Sequence, residues 1–359
     1  MSLLQTIQLR GHEQVSIFQD KPTGIKVVFA IHDTTLGPAL GGCRLRPYDS
    51  LDIALADVVQ LSEAMTYRNA ISGINFGGGQ SAIFPDPARQ DLPREDLFLA
   101  YGRFLAQLSG VYIATEDMGT TISDMGFVHA VCENVAGKDA RFGGGGDPAR
   151  YAAMGVICGM KACLRHVHGN DSISGRRVAI EGLGRVGVRI ARLLKEQGAE
   201  LVVADVEADI AAKIAAELGA EVVSIKDIHA QPCDIFAPCG IGGTINSATV
   251  LTLGSRIVAG CANNQLDNPA TETALLARGV TYAPDFVINA GGVILCADER
   301  EPGGFRQERV QQRVEGIYQT LLNVLSLSSE RRMPSGRVAI ELAQERIYRV
   351  RGGEPDYSV

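Results

Sequence analysis

Tryptophan is absent from this chain of 359 residues, and all aromatic side chains together make up only 6% of it. There is no platform of rings on which bases stack and no basic run. With a net charge of −7, nothing in the electrostatics favours a nucleic acid or an anionic membrane as partner. No apolar stretch reaches the roughly 20 residues that span a bilayer. The opening M-S-L-L-Q-T-I-Q-L-R lacks the apolar core of a secretion signal, so cytoplasm is the expected compartment. The eight cysteines form no C-x-x-C pair and the six histidines no H-x-x-x-H pair. Neither a metal site nor a disulfide framework is expected, and most cysteines read as buried free thiols acting as small hydrophobes. No internal repeat or low-complexity segment is present.

What remains is a composition suited to globular folding, 46% hydrophobic with 41 glycines, and a length suited to about two domains. The chain is organised around Val178–Asp205, which reads as strand, glycine turn, amphipathic helix and strand. Gly182, Gly184 and Gly187 form G-x-G-x-x-G directly after an apolar run. The first glycine permits the tight turn, the second lets a pyrophosphate approach the backbone, and the third lets helix and strand pack. The unpaired N–H groups at the helix start suit phosphate. Asp205 follows about 18 residues after Gly187, where an acid meets the ribose hydroxyls. A carboxylate there repels a 2′-phosphate, which favours NAD.

Before this unit, V-S-I-F and I-K-V-V-F-A-I predict a two-strand hairpin around the turn Asp20–Gly24. Asp49 or Ser50 caps a long helix that carries Arg68 near its end. The segment N-F-G-G-G-Q-S reads as a glycine-rich turn, followed by a helix around D-L-F-L-A-Y-G-R-F-L and a strand V-Y-I-A-T-E-D. F-G-G-G-G-D-P at 142–148 reads as a hinge or loop lip, and a helix is expected from about Ala152 to Arg165. After Asp205, short buried strands are expected in E-L-G-A-E-V-V-S, C-D-I-F-A-P-C-G, R-I-V-A-G-C and V-T-Y-A-P-D-F. Alternating with helices, they predict a parallel doubly wound sheet. From about Arg306 the chain reads as helical and ends in a polar tail expected to be disordered.

Candidate chemistry lies at strand ends. Pro238–Gly240, Ala262–Asn264 and Asn289–Gly292 carry small or amide residues, which line a cleft or are ordinary turns. Arg68 either clamps a carboxylate bidentately or is a solvated helix-end charge. Of Glu116 and Asp117, one is a general acid or base, or Asp117 caps a helix.

The motifs I-H-D-T-T-L-G-P-A-L-G-G, M-T-Y-R-N-A with the following G-G-G, E-D-M-G-T-T, C-D-I-F-A-P-C, A-G-C-A-N-N-Q-L and Y-A-P-D-F-V-I-N-A-G-G resemble those of the leucine dehydrogenases. The wider group is the glutamate/leucine/phenylalanine/valine dehydrogenases, and the resemblance covers about residues 13–350. It implies an α/β protein with an N-terminal substrate and oligomerisation domain, 1–142, rejoined by a helical segment at about 330–359. A hinge at 143–148 leads to a Rossmann-type NAD domain, 149–329, with a deep cleft between the two. It further implies a homo-oligomer, from dimer to octamer, interconverting an L-amino acid with a 2-oxo acid and ammonia.

Carried over by motif position, Asp117 matches the catalytic aspartate and Asn263 an asparagine that positions substrate. Leu40, Met65, Val293 and Cys296 line an apolar side-chain pocket with Gly41 and Gly42 at one wall. Gly182, Gly184, Arg185, Val186, Gly187, Asp205, Cys239, Gly240, Ala262, Asn263 and Asn289 are the implied NAD contacts. Arg68 stands where the family has a lysine that binds the substrate carboxylate, and arginine changes reach and geometry. Gln80 stands where the family has its catalytic lysine. An amide donates and accepts hydrogen bonds but does not exchange a proton near neutral pH. Ala152 replaces a threonine that bonds the nicotinamide amide, and Arg150 replaces a proline. Three readings follow: hydride transfer on an unusual amino acid or a preformed imine, leucine-type deamination at reduced rate, or a nucleotide-binding protein without turnover that assembles or regulates a true dehydrogenase.

Overall fold

The structure, a computed structural model, describes residues 10–85, 89 and 91–352. It divides into two compact units. The first holds the chain up to Pro148, Val293–Val310 and the segment from Ala343 onward; the second holds Ala149–Gly292 and Gln311–Leu342. Val293–Val310 thus groups with the first unit rather than the second, and the C-terminal return begins at Ala343 rather than near 330. Local bonding accounts for both differences. The Glu299 carboxylate accepts the N–H groups of Gly137 (2.9 Å), Lys138 (3.3 Å) and Gly145 (2.8 Å). Ser335 donates to the Tyr282 carbonyl at 2.7 Å, whereas Ala343 and Ile347 pack against Ala70.

In the first unit, β1 (Gln14–Gln19) and β2 (Lys26–Asp33) form the expected antiparallel hairpin. Strands β3 (Ala39–Leu45), β4 (Gly77–Phe84) and β5 (Tyr112–Glu116) complete a sheet of order β1-β2-β4-β3-β5, with β3 parallel to both β4 and β5. The period-2 alternation of β2 serves two layers. Val28 and Ala30 pack with Leu55, Val58 and Val59 of helix α1 (Leu51–Ile71). Val27, Phe29 and Ile31 pack on the other face with Phe98, Tyr101 and Leu105 of α2 (Arg94–Gln107). Ser50 caps α1, its hydroxyl accepting the Ile53 N–H.

The glycine-rich segment expected as a turn is strand β4 itself, buried along its length. A Cβ on Gly78 would lie 2.1 Å from the Thr66 hydroxyl of α1, and one on Gly79 2.7 Å from the Tyr112 ring. Glycine is needed there for close packing, not for turning. In the loop read as a hinge, Gly143 and Gly146 are left-handed (φ 78° and 80°), and a Cβ on Gly145 would lie 2.1 Å from Leu295.

In the second unit, helix α4 begins at Pro148, earlier than expected, and runs to His168. Strands β6 (Arg177–Glu181), β7 (Glu200–Ala204), β8 (Glu221–Val222), β9 (Cys233–Pro238), β10 (Ser255–Val258) and β11 (Thr281–Tyr282) form one sheet of order β11-β10-β9-β6-β7-β8, parallel throughout. The chain starts at the centre with β6, winds outward, then returns to β9, so the switch point lies between β6 and β9. β8 departs from expectation: it is two exposed residues rather than a buried strand, because an edge position gives it one neighbour. The C-terminal helices run Gln307–Glu315, Ile317–Arg331 and Ser335–Arg351. The tail expected to be disordered lies, from residue 353, outside the described residues. Among the described residues no helix is long and apolar enough to cross a membrane.

Candidate active site

Parallel pairing of β3 with β4 and β5 brings Gln80, Gly42 and, just past β5, Asp117 together. Gly42 is what lets them meet: a Cβ there would lie 2.6 Å from the Asp117 Cβ and 3.0 Å from the Gln80 amide nitrogen. The Gln80 Oε1 accepts the Gly42 N–H at 3.0 Å, and Nε2 donates to Asp117 Oδ2 at 2.9 Å. Since a backbone N–H only donates, that first bond fixes the amide orientation. Gln80 is 3% exposed and is held at both ends.

Asp117 is not a helix cap. The cap of α3 (Ile122–His129) is Thr121, in a reciprocal capping box with Asp124. Instead the same Asp117 Oδ2 accepts Arg44 Nε at 2.8 Å, and Arg44 Nη1 reaches Asp57 at 3.0 Å. Tyr48 donates its hydroxyl to Asp57 at 2.6 Å. Arg44, Asp57 and Tyr48 were not singled out from sequence. The available signal was strand alternation, which puts Arg44 on the same face of β3 as Gly42.

Arg68 sits half-buried in the last turn of α1, with Nη1 3.7 Å from the Met65 sulfur. The next residue, Asn69, ties this helix end to the sheet by donating to the carbonyls of Leu40 (3.1 Å) and Gly77 (2.6 Å). Leu40, Gly41, Gly42, Met65, Val293 and Cys296 all belong to the first unit. Val293 and Cys296 share the helix Gly291–Asp298. Cys296 packs at Gly137, whose Cβ would lie 3.4 Å from its sulfur.

In the second unit the glycine turn has the expected form. Gly182 is left-handed (φ 92°), with room for no side chain against Gly240 N at 2.5 Å. A Cβ on Gly187 would lie 2.2 Å from the Gly182 carbonyl, whereas one on Gly184 would meet nothing within 4 Å. Helix α5 (Arg185–Glu196) has Gly184 as its N-cap, with no side-chain cap hydrogen bond. Asp205 also braces the turn, accepting Leu183 N–H at 2.6 Å and Glu207 N–H at 2.9 Å.

Beyond the strand ends, Cys239 donates its N–H to the Glu181 carbonyl at 2.7 Å, and Ala262 to Pro238 at 3.0 Å. Asn289 Nδ2 bonds Asn263 Oδ1 at 2.9 Å, while Asn289 Oδ1 is buried without a hydrogen-bond partner. Ala152 lies near the start of α4, and the Arg150 guanidinium stacks on Tyr151 at 5.6 Å. Two exposed aliphatic residues escaped the sequence reading: Val206 after β7 (79% exposed) and Ile241 after β9 (81%). They follow the two strands that neighbour β6 on either side. The open glycine, the uncapped helix and the orphaned amide oxygen fit a nicotinamide dinucleotide.

Glu181 was also missed. It closes β6, 8% exposed, accepting the Thr244 hydroxyl at 3.2 Å while its other oxygen is buried unpaired. Burial pushes its carboxyl up to about 7, the Thr244 bond opposing the shift.

Two family models match: Glu/Leu/Phe/Val dehydrogenase, dimerisation domain, over residues 12–134, and Glutamate/Leucine/Phenylalanine/Valine dehydrogenase over 213–351. A leucine dehydrogenase of Bacillus subtilis is 42% identical over 351 residues, 98% of this chain and 95% of that protein. A valine dehydrogenase of Streptomyces virginiae is 40% identical over 341 residues, 94% of each. Among solved structures, the L-tryptophan dehydrogenase from Nostoc punctiforme superposes with a TM-score of 0.83 at 36% identity, covering 98% of this chain and 100% of that one. With fold, glycine turn and near full-length likeness in agreement, the chain belongs to the glutamate/leucine/phenylalanine/valine dehydrogenase family of NAD(P)-dependent amino acid dehydrogenases.

Proposed function

We propose that this family member is an NAD-dependent oxidoreductase acting at the C–N bond of an amino acid-like substrate with an apolar side chain, and that it reduces a preformed imine in preference to a 2-oxo acid plus ammonia. The observation that carries this reading is Gln80. Its amide is engaged by Gly42 and Asp117, so the position from which the family's lysine would activate water is filled by a group that moves no proton. Asp117 remains, and its Oδ1 is the atom assigned to exchange a proton with the substrate nitrogen. Arg44, bonded to Oδ2, holds that carboxylate in orientation. Arg68 is assigned to the substrate carboxylate, and Leu40, Met65, Val293 and Cys296 to the apolar side chain, with Asn263 positioning the substrate.

The nicotinamide, when bound, supplies or accepts the hydride. Asp205 supports NAD over its 2′-phosphorylated form by charge. The assigned NAD contacts are Gly182, Gly184, Arg185, Val186, Gly187, Cys239, Gly240, Ala262 and Asn289, with Val206 and Ile241 as walls for the adenine. Binding of NADH and of NADPH, followed by NADH oxidation with 2-oxo acids plus ammonia and with cyclic imine carboxylates, tests the reading. Turnover of an imine faster than amination of the 2-oxo acids supports it. Nucleotide binding with no turnover of any imine or oxo acid overturns it in favour of a regulatory role.

A further inference from the structure

Cys239 and Cys261 lie just beyond the C-terminal ends of β9 and β10, neighbouring parallel strands paired through Ile235–Ile257 and Phe236–Val258. The Cys261 thiol is turned toward Cys239 and donates to its carbonyl oxygen at 3.9 Å. Both thiols are free and half-buried, whereas Cys43, Cys132, Cys163 and Cys296 are buried. Neighbouring strands run about 4.8 Å apart, within the roughly 4.4–6.8 Å Cα separation that a disulfide bridges.

We infer that Cys239 and Cys261 form a reversible intramolecular disulfide that gates the nucleotide site, a modification driven by low-molecular-weight disulfides. The Cys239 thiolate attacks the external disulfide RSSR, forming a mixed disulfide and expelling one RSH. Cys261 then attacks the Cys239 sulfur, closing the protein disulfide and expelling the second RSH. Two protein thiols are oxidised, one disulfide is reduced, and both protons leave on RSH. Interaction with Cys239, toward which Cys261 donates, leads the causes that hold the Cys261 thiol protonated, ahead of burial. Conversion of Cys239 to the mixed disulfide removes its thiol from that interaction before Cys261 attacks.

The consequence follows from what Cys239 touches. Its N–H bonds Glu181, and its Cβ would sit 3.3 Å from a Cβ on Gly187. Gly240, next in the chain, lies against Gly182. Drawing the sulfur in to the ~2.05 Å of a disulfide therefore shifts the backbone packed under the glycine turn. This part rests on reading that turn as the nucleotide site.

The test treats the full-length protein with glutathione disulfide, maps the linked peptides by mass spectrometry, and titrates NADH by fluorescence before and after, with dithiothreitol reversal. Expected are a Cys239–Cys261 peptide, at least tenfold weaker NADH binding, and recovery on reduction. Cys261→Ser should stop at a Cys239–glutathione adduct, and Cys239→Ser should form no linked peptide. Absence of the 239–261 link overturns the inference, as does a link that leaves NADH affinity unchanged. Failure of the reduced protein to bind NADH would instead reject the nucleotide reading, with the mapped link still read independently.

Discussion

A methyl group on Gly42 would fall within 3.0 Å of both Asp117 and the Gln80 amide, so Gly42→Ala forces apart the side chains on which the proposed chemistry depends. Overpacking of this kind costs about 1–3 kcal/mol. The expected outcome is at least a tenfold fall in imine turnover with NADH affinity kept, measured by steady-state kinetics beside a binding titration. Arg44 offers a second residue-scale test, since its guanidinium spans Asp57 and Asp117. Arg44→Met leaves two carboxylates without their shared cation. Both are partly solvated, 28% and 23% exposed in their side chains, which brings the loss below the roughly 3–5 kcal/mol of a fully buried broken pair, to about 1–3 kcal/mol. Calorimetry should show a lowered melting temperature, and Arg44→Lys should recover only part of it, because one ammonium does not present the divergent donors of a guanidinium.

At the scale of elements, strand β6 ends on a buried carboxyl with a consequence for pH. Burial raises Glu181 from an ordinary 4.5 to about 7. Between those values the folded protein keeps a proton that the unfolded chain has lost, so this group's contribution to stability falls as pH rises through that window and is constant above it. Glu181→Gln removes the effect: it should be stabilising by roughly 3 kcal/mol above pH 7 and neutral near pH 4, read by urea unfolding across pH. The same strand shows how much was legible in sequence. The β6 turn, α5 and β7 could be read because their signals are local, glycines at fixed spacing followed by helical and strand periodicity. The Arg44–Asp117 pair could not, because parallel pairing joins residues far apart in the chain. The glycines of β4 were misread as a turn because what excludes a side chain there is Thr66 and Tyr112, supplied by other elements. Asp117 itself was legible, but only the structure excludes it as a helix cap, because Thr121 fills that role.

At the scale of the molecule, the family likeness extends over 98% of the chain, while the departures expected at the reactive centre are a few side chains, Gln80 first among them, with Arg68 and Ala152. A homo-oligomer is expected, and the match of residues 12–134 to a dimerisation domain supports it. Sedimentation should return an integral multiple of the protomer mass, and a monomer at micromolar concentration would contradict this. In the proposed function, Gln80 separates imine reduction from ammonia-dependent amination. Its most direct test is the ratio of NADH oxidation rates with a cyclic imine carboxylate and with an apolar 2-oxo acid plus ammonia, in the protein as it stands and in Gln80→Lys. The expected ratio is well above one and falls in Gln80→Lys as amination rises by about 10²–10⁴-fold, the usual worth of a general acid–base group. Amination by the unaltered protein at least as fast as imine reduction, or a ratio that Gln80→Lys leaves unchanged, would contradict it.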